Sequence, residues 1–269
     1  MAHATEIKHG KPLVVITGAS SGIGEVCARH FHKEGHPLLL LARRAERMEK
    51  EFGKLKDVLV AKVDVTKYDE IHAALEKAEK AYGPCDCLIN NAGVFLAGSV
   101  VLFFLYIKAT LAHTYKKKKT HTHYTGRTKT GRMEYNDTNQ WMKERKSGTI
   151  INISSEAGKK NLTEGTVYCA TKAAVNAISE GVRAEVATSG VRVTTISPGL
   201  VEVKNVLTEA LERNKDKKEI YDAFTNIKKS LSDGPLQADD IADACLYVYK
   251  LPRRVCIREI DIAPTGQVI

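Results

Sequence analysis

No apolar run in this chain is long enough to cross a bilayer. The longest, Val100 to Ile107, has eight residues, far short of the roughly 20 that a membrane helix needs. The first dozen residues are polar and lack the apolar core of a secretory signal, so a cytoplasmic location without membrane contact is expected. Cysteine is sparse. The six cysteines, at 27, 85, 87, 169, 245 and 256, show neither disulfide-framework nor metal-knuckle spacing, and Cys85-x-Cys87 is too tight for zinc. Reduced thiols and no metal site are therefore expected. Acid is missing in one place only. Between Lys108 and Arg132 stand eight Lys or Arg and no Asp or Glu; the remaining chain carries 33 basic residues (41 less those eight) against 32 acidic ones. The net charge of +9 is thus local, and the body of the protein offers no general electrostatic grip on nucleic acid.

What is present is an ordinary globular composition, 43% hydrophobic and 27% charged over 269 residues, enough for a large buried core. Short apolar runs alternate with helical stretches. Pro12 to Ile16, His36 to Ala42, Val58 to Val63 and Cys87 to Ile89 read as strands. Between them fall a helix from Ile23 to Glu34 and another running to Tyr82, the latter with Thr66 as its expected N-cap. Beyond Gly148, Thr149 to Ile153, Val191 to Ile196 and Val255 to Ile262 read as further strands, with helices at 164–187 and 237–249. This alternation predicts an α/β fold: a doubly wound parallel sheet with helices on both faces, one domain over residues 1–269. In such sheets ligands bind beyond the carboxyl ends of the strands.

The segment after the first strand, Thr17-Gly18-Ala19-Ser20-Ser21-Gly22-Ile23-Gly24, places glycines where a backbone bends sharply and approaches a bound group. With a helix opening behind it, the turn predicts a pyrophosphate site at Gly18, Ser20, Ser21, Gly22, Ile23 and Gly24. At the end of the second strand an NAD site usually offers a carboxylate to the ribose. Here stand Arg43 and Arg44, whose planar donor forks suit a 2′-phosphate, so NADP is expected in preference to NAD. Asp64, followed by Val65, ends the third strand; Asp64 either accepts from an adenine amino group or caps the turn.

Tyr168 and Lys172 stand at i and i+4 in a helical stretch and share one face. An ammonium beside a phenol favours the phenolate, lowering a pKa that is otherwise about 10 into a range useful for proton transfer. Ser155, thirteen residues upstream of Tyr168 at a strand end, is placed to hold a carbonyl or alcohol oxygen, with Ser154 as the alternative. A second Tyr-x-x-x-Lys, Tyr115 and Lys119, has no cofactor motif or serine strand at the matching distance.

Thr17 to Gly24, Asp64-Val65, Asn90-Asn91-Ala92-Gly93, Ser155, Tyr168-x-x-x-Lys172 and Pro198-Gly199 resemble, in order and spacing, the short-chain dehydrogenase/reductase family. The likeness covers residues 12–93 and 148–269. It implies a Rossmann-type fold and nicotinamide-dependent hydride transfer to or from a small alcohol or carbonyl substrate. It further implies that Asn90, Ala92, Gly93, Pro198, Gly199 and Val201 line the cofactor. Tyr168 and Lys172 would meet it too, with Lys172 bonding the nicotinamide ribose, and a homodimer or homotetramer is implied. Ala42-Arg43-Arg44 and the tail Ile257 to Ile260 with Pro264-Thr265 look most like an NADP-dependent group that includes oxidoreductases acting on serine and 3-hydroxy acids.

Residues 99–140 depart from that family. Where relatives carry a long helix whose asparagine completes a catalytic tetrad, this chain has a basic, low-complexity repeat of Lys, Thr and His without a sustained helical apolar period. Asn136 and Asn139 lie outside the matching context and are assigned no role. The segment resembles translated intervening sequence. Its expected consequence is a protein less stable and less active than its motifs suggest, or a catalytically impaired NADP-binding scaffold.

Overall fold

The computed structural model describes residues 10–93, 142–160, 165–203 and 218–267. The segment at 99–140 lies outside them, and with it the second Tyr–Lys spacing, Asn136 and Asn139. Strands β1 (Leu13–Thr17), β2 (Leu38–Ala42), β3 (Val58–Lys62), β4 (Cys85–Asn90), β5 (Gly148–Ile153) and β6 (Val191–Pro198) belong to one sheet. A short pair, β7 (Val201–Glu202) and β8 (Leu236–Gln237), stands apart, and β9 (Glu259–Ile262) completes the seven-stranded order β3-β2-β1-β4-β5-β6-β9. Every pairing in it is parallel.

β1, β2, β4, β5 and β6 are buried at every residue, because helices cover both faces of a parallel sheet. Alternate residues therefore face opposite ways into two cores. On one side Val14, Ile16, Leu38 and Leu40 pack with Cys27 and Phe31 of α1 (Gly22–Lys33) and Met48 and Phe52 of α2 (Ala45–Phe52). On the other, Leu13, Val15, Leu39 and Leu41 meet Ile71 and Leu75 of α3 (Tyr68–Tyr82) and Val182 and Val186 of α4 (Thr166–Val186). After α5 (Lys218–Ser230), α6 (Ala238–Lys250) returns to the first side, where Ile241, Cys245 and Val248 join α1. The predicted Rossmann-type architecture is the observed one. Among the described residues no helix is long and apolar enough to cross a membrane.

Two local expectations are corrected. Lys67, not Thr66, is the N-cap of α3 and makes no side-chain cap bond. The Thr66 amide instead donates to Asp64 Oδ1 at 2.9 Å, and the Asp64 amide donates to Glu70 at 2.9 Å, which carries the turn one residue further. The last strand begins at Glu259, not Val255. Arg192, only 4% exposed, is the physical reason: its guanidinium donates to the carbonyls of Tyr249, Leu251 and Val255 and to the Thr149 hydroxyl, holding 251–255 in an irregular turn. Arg192→Leu would strip these acceptors of their donor. It is expected to cost about 3 kcal/mol, seen as a lower urea midpoint with an unchanged m-value.

None of the six cysteines is in a disulfide, and five are buried. Burial pushes the Cys85 and Cys87 thiols well above their ordinary value, so they behave as inert core side chains.

Candidate active site

Strand order reverses between β1 and β4, and the crevice beyond their carboxyl ends is where a parallel sheet opens to a ligand. Thr17 closes β1 there. Its hydroxyl accepts from the amides of Asn91 and Ala92, each at 3.0 Å, while Asn91 Nδ2 donates to the carbonyls of Thr17 and Gly18, each at 3.2 Å. The turn after β4 thereby lies flat on the glycine turn. Gly18 has φ +67°, and a Cβ on it would stand 2.8 Å from Ala92 Cα, so no other residue fits. Sequence reasoning had left Thr17 and Asn91 without a role. Both belonged to quoted motifs, but only the fold shows that they join the two turns.

Ser20 is buried in this turn, and Gly22, Ile23 and Gly24 open α1. Ser21, the N-cap, makes no side-chain cap bond; its hydroxyl accepts from Arg44 Nη2 at 3.0 Å. Ser21 thus leaves the opening amides of α1 available to an anion. Arg43 and Arg44 are both exposed at the end of β2. The Thr66 amide holds the Asp64 carboxyl below its ordinary value, burial opposing and the Arg43 charge assisting. Val65 packs partly buried against the core. Asn90 turns inward: its Nδ2 donates to Asn152 Oδ1 at 2.9 Å, and Asn152 in turn donates to the Ser179 hydroxyl at 2.8 Å. That side chain joins β4 to β5 and α4 inside the core. Ala92 and Gly93 follow at the rim of the crevice.

Two serines follow β5 and part ways. Ser154 is 3% exposed and donates to the Lys172 carbonyl at 3.2 Å. Ser155 caps a 3-10 turn, Glu156–Gly158, accepting from the Ala157 amide at 3.2 Å. Its hydroxyl also donates to the Pro198 carbonyl at 3.4 Å and is hydrogen-bonded to Tyr168. Lys172, one turn along α4, donates to the Ile153 carbonyl at 3.1 Å, and its ammonium lies 5.7 Å from the Tyr168 ring centroid. Tyr168 and Lys172 are densely surrounded by protein yet remain partly open to solvent, as side chains on the wall of a cleft.

The electrostatics correct one expectation. Burial holds the Tyr168 phenol above its ordinary value, with the Ser155 hydrogen bond pulling the other way. Burial also brings Lys172 down to about 8. Desolvating a phenolate outweighs the help of an amine that is itself desolvated. The sign for stability follows. Lys172 binds its proton less tightly folded than unfolded, so the cost is fully present below pH 8 and is relieved as pH rises from about 8 to 10.5. Lys172→Met is therefore expected to raise Tm by about 3 °C at pH 7, with the gain fading toward the upper end of that window. Thermal melts across the range check this; an unchanged Tm at pH 7 would mean the amine is solvated.

On the far side of Ser155, Pro198 ends β6 and Gly199 follows. The Gly199 amide donates to the Ile262 carbonyl at 2.7 Å and the Leu200 amide to Gln267 Oε1 at 2.8 Å. Val201 begins β7, pairing with Leu236. Gln267 carried no signal in the sequence, a lone glutamine near the end of the chain.

The fold brings the glycine turn, Arg43 and Arg44, Asp64, Ser155, Tyr168, Lys172 and Pro198-Gly199 to the carboxyl ends of parallel strands. An uncharacterized oxidoreductase of Staphylococcus aureus is 32% identical over 263 residues, covering 94% of this chain and 96% of its own length. The closed form of a serine dehydrogenase complexed with NADP+ superposes with a TM-score of 0.75 at 27% identity, covering 96% of both chains. Serine dehydrogenase from Escherichia coli gives a TM-score of 0.69 at 26% identity, covering 96% of this chain and all of that one. The short chain dehydrogenase family model matches residues 12–215, and the chain belongs to the short-chain dehydrogenase/reductase family of oxidoreductases.

Proposed function

We propose that this protein is an NADP-dependent oxidoreductase that moves a hydride between the nicotinamide and the carbon of a small alcohol or carbonyl compound, with serine-like compounds and 3-hydroxy acids as the first candidates. One observation carries the reading: Ser155, Tyr168 and Lys172 meet at the carboxyl end of β5, across the sheet from a glycine turn whose helix amides Ser21 leaves uncapped. The residues fit the cofactor. Gly18, Ser20, Ser21, Gly22, Ile23 and Gly24 would take the pyrophosphate, Arg43 and Arg44 the 2′-phosphate, and Asp64 and Val65 the adenine side. Ala92, Gly93, Pro198, Gly199 and Val201 would line the remainder, together with the backbone of Asn90, whose side chain is turned into the core. The serine dehydrogenase superposed above holds NADP+. When bound, the cofactor supplies the hydride or accepts it.

The protein's own residues do the rest. The Ser155 hydroxyl holds the substrate oxygen, and Tyr168 exchanges a proton with it. Lys172 places a positive charge beside the ring and reaches toward the nicotinamide ribose. In that exchange the phenol donates when a carbonyl is reduced, and the phenolate accepts when an alcohol is oxidised. The exposed face of α4, with Ala170, Ala173, Ala177 and Ala184, supports assembly as a homodimer or homotetramer.

NADPH and NADH titrations of the purified protein, followed by a panel of carbonyls and hydroxy acids, test the reading. Tighter NADPH binding with NADPH-dependent turnover is expected. A second reading, a catalytically impaired NADP-binding scaffold, draws on the basic, low-complexity sequence of residues 99–140, in which no asparagine stands in the context of the catalytic tetrad. NADPH binding without oxidation on the whole panel would favour it.

A further inference from the structure

We propose that Gln267 is a positioning residue that clamps the loop after β6 to the turn carrying Ser155, and so sets the spacing between the cofactor side and the substrate side of the site. The inference rests on the functional reading above, in which Pro198-Gly199 flank the nicotinamide and Ser155 holds the substrate oxygen.

Both ends of the Gln267 carboxamide are engaged. Oε1 accepts from the Leu200 amide at 2.8 Å, and Nε2 donates to Glu156 Oε2 at 2.9 Å. The fit against the loop is close. A Cβ on Gly199 would stand 2.9 Å from each of those two carboxamide atoms and 3.1 Å from Glu156 Oε2, so a side chain there would push the clamp apart. The Gln267 backbone is itself held, its amide donating to the Pro264 carbonyl at 3.0 Å.

Nearby bonds run in the same direction. Lys159, at the end of the Ser155 turn, reaches Asp261 at 2.7 Å and Glu259 at 2.8 Å on β9, while the Gly199 amide is bound to Ile262. Turn and loop are thus both anchored on β9 and the tail behind it. The direct bond between them, from Ser155 to the Pro198 carbonyl, is long at 3.4 Å and weak on that account. The β5–β6 ladder ends with the Ser154 amide bound to the Ile196 carbonyl at 2.7 Å; beyond it, Gln267 ties turn and loop together with short, well-matched contacts.

The chemistry requires a carboxamide. The position faces a backbone donor on one side and a carboxylate acceptor on the other, and glutamine offers one acceptor and one donor to match. Gln267→Glu sets a second carboxylate against Glu156 Oε2, and the repulsion pushes the side chain away from both Glu156 and the Leu200 amide. Adding Glu156→Gln restores a donor between the two side chains, so the pair is exchanged with both bonds retained.

The test uses these two variants of the full chain. Gln267→Glu is expected to lower kcat/KM about tenfold, the loss of one charge-assisted hydrogen bond, and to weaken NADPH binding. Affinity for 2′,5′-ADP, which occupies only the far half of the cofactor site, should stay unchanged. The exchanged pair, Gln267→Glu with Glu156→Gln, should recover to within about threefold of wild type. A purely structural role would move both ligands together or show itself only in Tm. Hydrogen exchange at the Leu200 amide, followed by NMR, needs no substrate; it should quicken in Gln267→Glu and slow again in the exchanged pair.

Unaltered kinetics and exchange in Gln267→Glu, or an exchanged pair that folds but recovers neither, would overturn the clamp. A wild-type protein without NADPH-dependent turnover would instead sink the functional proposal, and Leu200 exchange would still decide the clamp.

Discussion

Tyr168→Phe is expected to lower kcat by about a thousandfold, within the range for loss of a general acid or base, while NADPH affinity stays within about twofold. The ring stays and only the hydroxyl goes. The cleft wall, the Lys172 ammonium above the ring and the glycine turn are all untouched. The Ser155 hydroxyl loses one partner but keeps its bonds to the Ala157 amide and the Pro198 carbonyl, so its position should hold. Loss of turnover with retained NADPH binding is thus the signature of a missing proton carrier rather than of a collapsed site. Steady-state kinetics beside a fluorescence titration separate the two. Retained turnover would remove Tyr168 from the mechanism, and equal loss of binding would make its hydroxyl structural.

The second large effect concerns the cofactor's phosphate. Arg43→Ala combined with Arg44→Ala is expected to weaken NADPH binding about a hundredfold, two charge-assisted contacts being removed, and to leave NADH binding within about threefold. Both side chains stand exposed at the end of β2, so neither supports the core and Tm should hold within about 2 °C. Arg44 also donates to Ser21, which links the expected 2′-phosphate position to the start of α1; part of the loss should therefore be shared with the pyrophosphate. NADPH and NADH titrations of the double variant decide the matter. Equal weakening of both cofactors would place the arginines at the pyrophosphate alone.

Most of the architecture was legible from residue order. β1 and β2 are buried on both faces and announce themselves as nearly continuous apolar stretches, whereas β4, β5 and β6 keep only shorter apolar cores around Asp86, Asn152, Arg192 and Thr194. The glycine turn was readable for a similar reason: a positive φ at Gly18 and Gly22 is a local requirement that leaves a local mark. The spacing of Tyr168 and Lys172 is likewise a property of one helix. These are short-range facts, set by backbone sterics and hydrophobic period.

What tertiary structure decided is long-range. Asn90 and Asn91 are adjacent in the chain, yet one enters the core toward Asn152 and the other grips Thr17 and Gly18, because successive residues at a strand end face opposite ways. Ser154 and Ser155 divide in the same manner. The sign of the Tyr168 shift also came from packing, since burial of the ring outweighs a favourable neighbour that the i, i+4 spacing alone had suggested. Gln267 meets Glu156 across 111 positions of sequence. No periodicity can announce such a contact, because hydrogen-bond partners that far apart are chosen by where the sheet brings two strand ends together.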